Sequence, residues 1–243
     1  MPTLKQNLVA EFIGSMFLVV VAIGSTILPI EVFDLPIGIA VFMNAMAVAF
    51  VLFALIETFA PISGAHFNPA VTFALWLTKE IQSRKALLYV VVQFAGGFLG
   101  VIVTHLMFWD VNPTLIYISD NAKTTPLYFA EVVGTFALLA VIYGCTRGRS
   151  KQTGLAVAFV VGGLLITTSS TMFANPMVTF ARMFTYAICG ITPIDGLAFM
   201  VMELIGAAAA ALVFGYVLYP TKLKEKCDPY DCPPKKPIEV KLE

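Results

Sequence analysis

The chain has 243 residues, of which 59% are hydrophobic and only 12% are charged, and its mean hydropathy is +0.88. A soluble core does not require values this high, so the composition predicts a polytopic membrane protein. The 15 basic and 15 acidic residues balance, and bulk charge therefore predicts no nucleic-acid partner.

Long apolar runs recur along the whole chain, each of about 20 residues and so long enough to cross a bilayer as a helix. The first run exceeds a signal-peptide core and lacks a small-residue cleavage pattern, so we expect it to stay in the mature protein. The predicted spans are Leu8–Ile30, Pro36–Ile56, Ala86–Trp109, Leu127–Cys145, Thr153–Ser170 and Gly196–Tyr219.

Two shorter apolar segments, Asn68–Leu77 and Asn175–Cys189, lie between these spans. Each opens on Asn-Pro, and because Asn is a good N-cap and Pro suits the first helical turn, each pair predicts a helix start. Neither segment is long enough to cross the hydrocarbon layer, and irregular backbone at that depth needs cover from protein or a water-filled cavity. We therefore predict two re-entrant half-helices.

The two half-helix segments are copies of one stretch, His66–Thr78 and Phe173–Thr185, offset by 107 positions. Further matching segments flank them. They are Ala10–Ser15 with Ala130–Thr135, and Gln93–Gly96 with Glu203–Gly206. Three spans and a half-helix thus occur twice, at about 8–109 and 127–219, and an odd number of spans inverts the second copy. The predicted fold is an all-α membrane protein with six transmembrane helices and two half-helices that meet from opposite faces.

Basic residues predict the orientation of this single domain, residues 1–219. With an even number of crossings, one side carries Lys5, Lys79, Arg84, Lys85, Arg147, Arg149, Lys151, Lys222, Lys224, Lys226, Lys235, Lys236 and Lys241. The other side has Lys123, with Arg182 inside a half-helix, so the positive-inside rule places both termini in the cytoplasm. The polar, Pro-rich tail 220–243 is predicted to be disordered.

The paired Asn-Pro boxes, the run Ser63–Thr72 and the Ala-Glu-Phe-x-Gly-Ser pattern near the N-terminus resemble the aquaporin (major intrinsic protein) family over about residues 8–219. The resemblance implies a homotetramer in the lipid bilayer, with a pore in each subunit that conducts water and small uncharged solutes. The implied pore motifs are Asn68, Pro69 and Ala70 in one half, and Asn175, Pro176 and Met177 in the other. Each Asn amide would donate a hydrogen bond to a passing solute, and the facing helix dipoles are expected to exclude cations and protons.

Carboxylates inside apolar spans usually indicate a functional site because their burial is expensive. For Glu11 and Glu131 the resemblance implies a structural role instead, hydrogen bonding to the backbone of the re-entrant loops. Gln93 and Glu203, at equivalent places in the third and sixth spans, are interpreted in the same way. His66 is interpreted as a hydrogen-bonded loop histidine rather than as a pH-sensitive gate.

The sequence departs from the family pattern three residues after Asn175, where Val178 replaces an expected arginine. Counted from the motifs, the other constriction positions are Val48, Gly163 and Met172. Arg182 lies seven residues after Asn175, about two helical turns, so the role of the missing arginine is not transferred to it. The atypical Met177 is expected either to pack against the opposite motif or to narrow the pore.

A constriction of Val, Gly, Met and Val is wider and more apolar than one that contains arginine, which favours larger uncharged solutes such as polyols. Val178 together with segments 59–64 and 173–176 resembles a microbial branch linked with uncharged metalloid hydroxides. An ion-coupled secondary transporter and a closed, non-conducting packing protein are the alternatives.

No catalytic set, cofactor motif or metal-ligand cluster stands out, and we infer that the chain is not an enzyme. Cys227 and Cys232 in the polar, Pro-rich tail are separated by four residues and could bind a soft metal or metalloid, but two thiols fall short of a closed metal site.

Overall fold

In the computed structural model, which describes residues 2–219, the chain forms eight α-helices. They are α1 (Leu4–Ile27), α2 (Ile37–Ser63), α3 (Pro69–Leu77), α4 (Ser83–Met107), α5 (Thr125–Arg147), α6 (Thr153–Thr167), α7 (Pro176–Arg182) and α8 (Pro193–Ala210). Two π-helical segments, Leu28–Val32 and Ala211–Leu218, continue α1 and α8. The predicted all-α class with two short helices is confirmed. The predicted tail, with Cys227 and Cys232, lies outside the described residues.

Five of these helices are long and apolar enough to cross a membrane, and α6 is the exception with 15 residues, about 22 Å. The predicted fifth span, Thr153–Ser170, is present as α6 but ends at Thr167. The helix stops because Thr168 adopts an extended conformation and its hydroxyl accepts a hydrogen bond from the Met172 amide at 2.9 Å. The backbone after α6 is thus turned back toward the bilayer interior.

The second half-helix is also shorter than predicted, since α7 ends at Arg182 instead of reaching Cys189. The Thr185 hydroxyl accepts a hydrogen bond from the Ala187 amide at 3.2 Å, a local bond that competes with continued helix. The Ile191 amide then donates to the Arg182 carbonyl at 3.1 Å and closes the turn. Apolar composition alone does not reveal this local hydroxyl bond.

The helices pack as two related halves. In the first half α1 packs against α2 and α4, and in the second α5 packs against α6 and α8. The halves join through α2 and α6, while α3 contacts α8 and α7 contacts α4. Each half-helix is therefore held by a long helix of the other half as well as its own.

The chain path defines two faces. We call the side that carries the N-terminus and the connections 78–82 and 148–152 the terminal face. We call the opposite side, with the connections 33–36, 108–124 and 183–192, the distal face. The loop before α3 starts on the terminal face, where α2 ends, and the loop before α7 starts on the distal face, where α6 ends. The two half-helices therefore enter from opposite sides.

The closest helix contacts occur at glycines that match in the two halves. A Cβ at Gly206 would lie 2.5 Å from the Val132 carbonyl oxygen, and one at Gly96 would overlap the equivalent carbonyl of Phe12. By contrast, a Cβ at Gly38 on α2 would meet nothing within 4 Å. The glycines of α4 and α8 therefore set the distance between the long helices of each half.

We predict that Gly206→Ala destabilises the protein by about 1–3 kcal/mol, because the added methyl group must push α8 away from α5. Gly38→Ala, the matched control, should leave stability unchanged or slightly higher because alanine favours helix and has room. The measurement is the thermal unfolding midpoint in detergent, followed by tryptophan fluorescence. Equal midpoints for the two variants would contradict this account of the helix contact.

Candidate functional site

Both half-helices begin at the middle of the molecule with the same cap. The Asn68 side-chain oxygen accepts a hydrogen bond from the Ala70 amide at 2.8 Å, and the Asn175 oxygen accepts from the Met177 amide at 3.1 Å. In each case proline occupies the first helical turn, as the Asn-Pro pairs predicted. The caps fix the orientation of both amide groups.

The same two asparagines also join the halves. The Asn68 Nδ2 donates to the Ala174 carbonyl at 2.8 Å, and the Asn175 Nδ2 donates to the Phe67 carbonyl at 2.9 Å. A primary amide has two N–H groups, so each asparagine keeps one donor beyond this bond. Both side chains are buried yet line a cavity, where that remaining donor is available to a solute.

The loops that lead into the caps have matching, strained backbones. Ala65 and Phe67, three and one residues before Asn68, have φ angles of 51° and 46°. Met172 and Ala174, at the same offsets before Asn175, have φ angles of 34° and 46°. Left-handed conformations of non-glycine residues cost about 1–3 kcal/mol each, so other contacts must hold them in place.

Buried carboxylates supply those contacts in the first half. Glu11 is fully buried and accepts hydrogen bonds from the amides of His66 and Phe67, at 3.0 and 2.8 Å. It also accepts from the Ser63 hydroxyl at 2.6 Å and from Gln93 Nε2 at 2.8 Å. One side chain thereby holds four donors that would otherwise face an apolar interior.

Glu131 does the equivalent in the second half, where it accepts from the amides of Phe173 and Ala174 at 3.0 and 2.7 Å. Its neighbour Glu203 accepts a hydrogen bond from the Thr179 hydroxyl at 2.6 Å. The equivalent bond in the first half runs from Gln93 to the Thr72 hydroxyl, at 3.1 Å. Neither glutamate lines the cavity. Their observed partners are those of loop-supporting residues.

His66 does line the cavity, and its ring is already engaged. Nδ1 lies 3.0 Å from the Thr72 hydroxyl, and the ring packs edge-on against Tyr89 with centroids 5.2 Å apart. This geometry agrees with the interpretation of His66 as a hydrogen-bonded loop residue.

The cavity that contains both asparagines has a volume of about 290 Å³ and extends from Glu80 and Thr153, near the terminal face, to Arg182. Its wall is mostly apolar. Three of the residues counted as constriction positions, Val48, Met172 and Val178, contribute to that wall.

Gly163 does not line the cavity, so its assignment to the constriction does not fit the structure. It lies on the exposed face of α6 with Phe159 and Ile166, and a Cβ there would meet nothing within 4 Å. Val161 and Leu165 line the cavity from α6 instead. The count from Asn175 selected a residue on the side of α6 that faces away from the cavity.

Met177 does not narrow the cavity and packs behind it. It is fully buried, it is absent from the cavity wall, and its side chain fills the space above Gly97 of α4, where a Cβ would lie 2.8 Å from Met177 Cγ. The larger side chain in the second motif is therefore accommodated by a glycine on the neighbouring helix.

Arg182, to which the role of the missing arginine was not transferred, lies in the cavity wall. It follows Val178 by four residues, so only about one helical turn separates them. A second cavity of about 430 Å³ continues from Arg182 to Asp120 and Lys123 at the distal face. The two cavities together extend along the axis on which the half-helices meet.

The charged groups of this path lie at its two ends and at Arg182, where the two cavities adjoin. Glu80, at the terminal end, forms an ion pair with Arg147 at 2.5 Å. At the distal end, burial and then the nearby charge of Arg182 lower the pKa of the Lys123 ammonium. Between Glu80 and Arg182 the wall has asparagine amides, loop backbone and apolar side chains, and no charged side chain among residues 2–219.

Inverted helical halves, two facing half-helix caps and an axial cavity define a multi-pass membrane protein of the pore-forming type. Residues 1–173 match the sequence profile of the major intrinsic protein family. The chain belongs to this family.

Curated relatives cover nearly the whole chain. The chain is 34% identical over 220 residues to the aquaglyceroporin AqpS of Rhizobium meliloti (strain 1021), which covers 90% of this chain and 93% of the relative. It is 30% identical to a probable aquaporin AqpM of Archaeoglobus fulgidus, over 88% of this chain and 98% of the relative. Among solved structures, the aquaglyceroporin from Plasmodium falciparum matches with a TM-score of 0.69 and 18% identity, covering 89% of this chain and 97% of that one, which shows the shared fold.

We predict that Glu11→Ala strongly reduces the yield and thermal stability of folded protein. The change leaves the buried amides of His66 and Phe67 without an acceptor, at about 1–3 kcal/mol for each unsatisfied donor. Glu57→Ala, at an exposed position on α2, is the control and should behave like the wild type. Size-exclusion profiles and unfolding midpoints in detergent provide the comparison, and an unaffected Glu11→Ala protein would show that the carboxylate does not hold the loop.

We also predict that Gly97 and Met177 are energetically coupled. Gly97→Ala should destabilise by overlap with the Met177 side chain, and Met177→Ala by leaving a cavity, typically about 2–5 kcal/mol. In the double variant the alanine methyl occupies part of the vacated space, so the combined loss should be smaller than the sum. Gly97→Ala with Met172→Ala is the control pair, since Met172 packs near Gly134 instead, and there the losses should add.

Proposed function

We propose that the protein is a passive channel for water and small uncharged solutes. The observation that carries the proposal is the cavity that holds both asparagine amides at its centre, where the described residues 2–219 place no charged side chain between Glu80 and Arg182. A neutral polar molecule can exchange its water partners there for the free N–H groups of Asn68 and Asn175. The names of the relatives, which include aquaporins and aquaglyceroporins, support the same class of substrate.

Cation exclusion follows from the same geometry. The N-termini of α3 and α7 face each other at Asn68 and Asn175, so the positive ends of two helix dipoles point at one place. An ion there loses hydration and gains no negative partner from the wall.

The proposed selectivity collar consists of Val48, Met172 and Val178, with Val161 and Leu165 from α6 in place of Gly163. These side chains neither carry charge nor donate hydrogen bonds, so we propose that size and desolvation set the limit for solutes at this level. Glycerol-like polyols and uncharged metalloid hydroxides are the proposed substrates besides water.

The two alternative functions have less support. A coupled transporter needs an ion site in the pathway, yet Glu11, Glu131 and Glu203 are fully buried and lie outside the cavity wall. A pore closed by Met177 or Met172 needs one of these side chains across the cavity; Met177 packs over Gly97 instead, and Met172 lines the wall of an open cavity of about 290 Å³.

We further propose that the terminal face is cytoplasmic, on the basis of its excess of lysine and arginine, and that the chain assembles as a homotetramer with one pore in each subunit. The family provides the argument for the tetramer. The protein is proposed to act without a cofactor, a metal ion or catalytic residues.

The proposal is tested by stopped-flow light scattering on proteoliposomes exposed to gradients of an impermeant osmolyte, glycerol or arsenous acid. The wild type should show water flux and fast reswelling driven by both solutes. Val178→Arg should abolish the solute-driven reswelling while water flux persists, because the larger cationic side chain narrows the collar.

Val178→Ile is the matched control, since it keeps the wall apolar and adds one methylene group. It should retain measurable glycerol flux. Water flux without solute flux in the wild type would restrict the proposed substrates to water, and no flux at all in folded protein would overturn the channel function.

A further inference from the structure

Arg182 is a buried cation without a partner. Its side chain is 2% exposed, and its Nε and Nη1 atoms find no hydrogen-bond acceptor among residues 2–219. The guanidinium carbon lies 4.2 Å from the centre of the Phe173 ring, which supports the planar group from one side. A guanidinium has five N–H donors, so a buried one normally has several acceptors.

Arg182 also lies at a particular point of the pathway. Within the part of the chain that the structure describes, it is the one residue that lines both the 290 Å³ cavity and the 430 Å³ cavity beyond it. The guanidinium therefore lies where the two cavities adjoin, about 6 Å along α7 from the level of Val178. We therefore expect a solute that passes from one cavity to the other to come close to Arg182.

Glu131 interacts electrostatically with Arg182, but its carboxylate already accepts hydrogen bonds from two loop amides. In residues 2–219 no carboxylate oxygen lies within ion-pair distance of Arg182, whereas Glu80 at the terminal end is paired with Arg147. On the distal side, the Lys123 ammonium, another cation, lies close enough to interact with the charge of Arg182. Asp195, the acid closest to Lys123, already accepts from the Lys123 amide and the hydroxyls of Tyr128 and Thr192.

We propose that Arg182 is the cationic filter residue of this pore. It stands one helical turn closer to the distal face than Val178, and its unpartnered N–H groups bind the oxygen atoms of passing uncharged hydroxylated solutes. This inference rests on the proposed channel function and adds a residue to it. The pathway then has two successive stations: an apolar collar at Val178 that admits wide solutes, and a fixed positive charge beyond it that repels cations.

The two stations separate functions that a single arginine at the collar would combine. A fixed charge opposes a cation most strongly where water is scarce, because the effective dielectric constant is low there. An uncharged solute instead gains hydrogen bonds from the same group. Moving the charge out of the collar keeps the cation barrier while it leaves the collar wide.

The test measures proton and potassium leak, water flux and glycerol flux in proteoliposomes for the wild type, Arg182→Met and Arg182→Lys. Arg182→Met should raise the cation leak by about ten- to a hundredfold, the effect of removing one charge from a poorly hydrated passage, while water flux persists. Arg182→Lys keeps the charge but lacks the planar donor fork, so the leak should stay low while glycerol flux falls severalfold. Arg84→Met, at an exposed position on the terminal face, is the matched control and should equal the wild type.

A relocation variant makes the test independent of the fold of a single mutant. The double variant Val178→Arg, Arg182→Met carries the cation in the collar, so the cation leak should be low while glycerol flux is lost. If the wild type conducts water and Arg182→Met leaks no more cations than Arg84→Met, the inference is wrong and the half-helix dipoles are sufficient. If Lys123→Met leaks as much as Arg182→Met, the barrier is a general vestibule charge and the assignment to Arg182 fails. An absence of water and glycerol flux in the wild type would instead overturn the proposed channel function.

Discussion

The structure depends on the hydrogen bonds by which two buried carboxylates hold two irregular loops inside an apolar interior. Glu11 accepts from the amides of residues 66 and 67, and Glu131 accepts from those of residues 173 and 174. Without them, the left-handed loop residues lose the contacts that offset their strain, and the half-helices lose their fixed starting points. The burial of a carboxylate is thus the condition for a polar pathway at bilayer depth rather than part of the pathway itself.

The two halves have the same backbone conformation in these loops, but the side chains packed behind the loops differ. Both asparagines cap a half-helix and donate to the opposite loop with nearly equal distances. The third residue of the motif differs, Ala70 in one half and Met177 in the other, and the difference is absorbed by Gly97. The equivalent positions behind the loops likewise hold different side chains, Gln93 in one half and Glu203 in the other. Packing behind the loops can therefore change while the loop conformations at the pore centre stay alike.

Sequence patterns predicted the features that have a local or duplicated signal. Asn-Pro at the head of a short apolar run predicted both half-helices, and the matched Ala-Glu segments predicted the buried carboxylates. The rotation of α6 had no such signal, because its residues are apolar on the side of the cavity and on the side of the lipid alike. Gly163 was therefore placed on the wrong side. The place of Arg182 in the cavity wall was not predicted, because its distance was counted from Asn175 and the sequence does not show which cavities α7 borders.

The position of charge along the pathway explains how a wide collar and selectivity can coexist. Glu80 and Arg147 neutralise each other at the terminal end, the middle is uncharged, and the unpaired cation lies beyond the collar. A neutral solute then meets an apolar wall, two amide donors and a guanidinium in sequence, and at each step it can keep part of its hydrogen bonding. A cation meets the positive ends of two helix dipoles and the guanidinium, with no negative partner in between. In the proposed arrangement the barrier to ions does not depend on the width of the collar, so a substitution that widens the collar, as we propose for Val178, need not open the pore to ions.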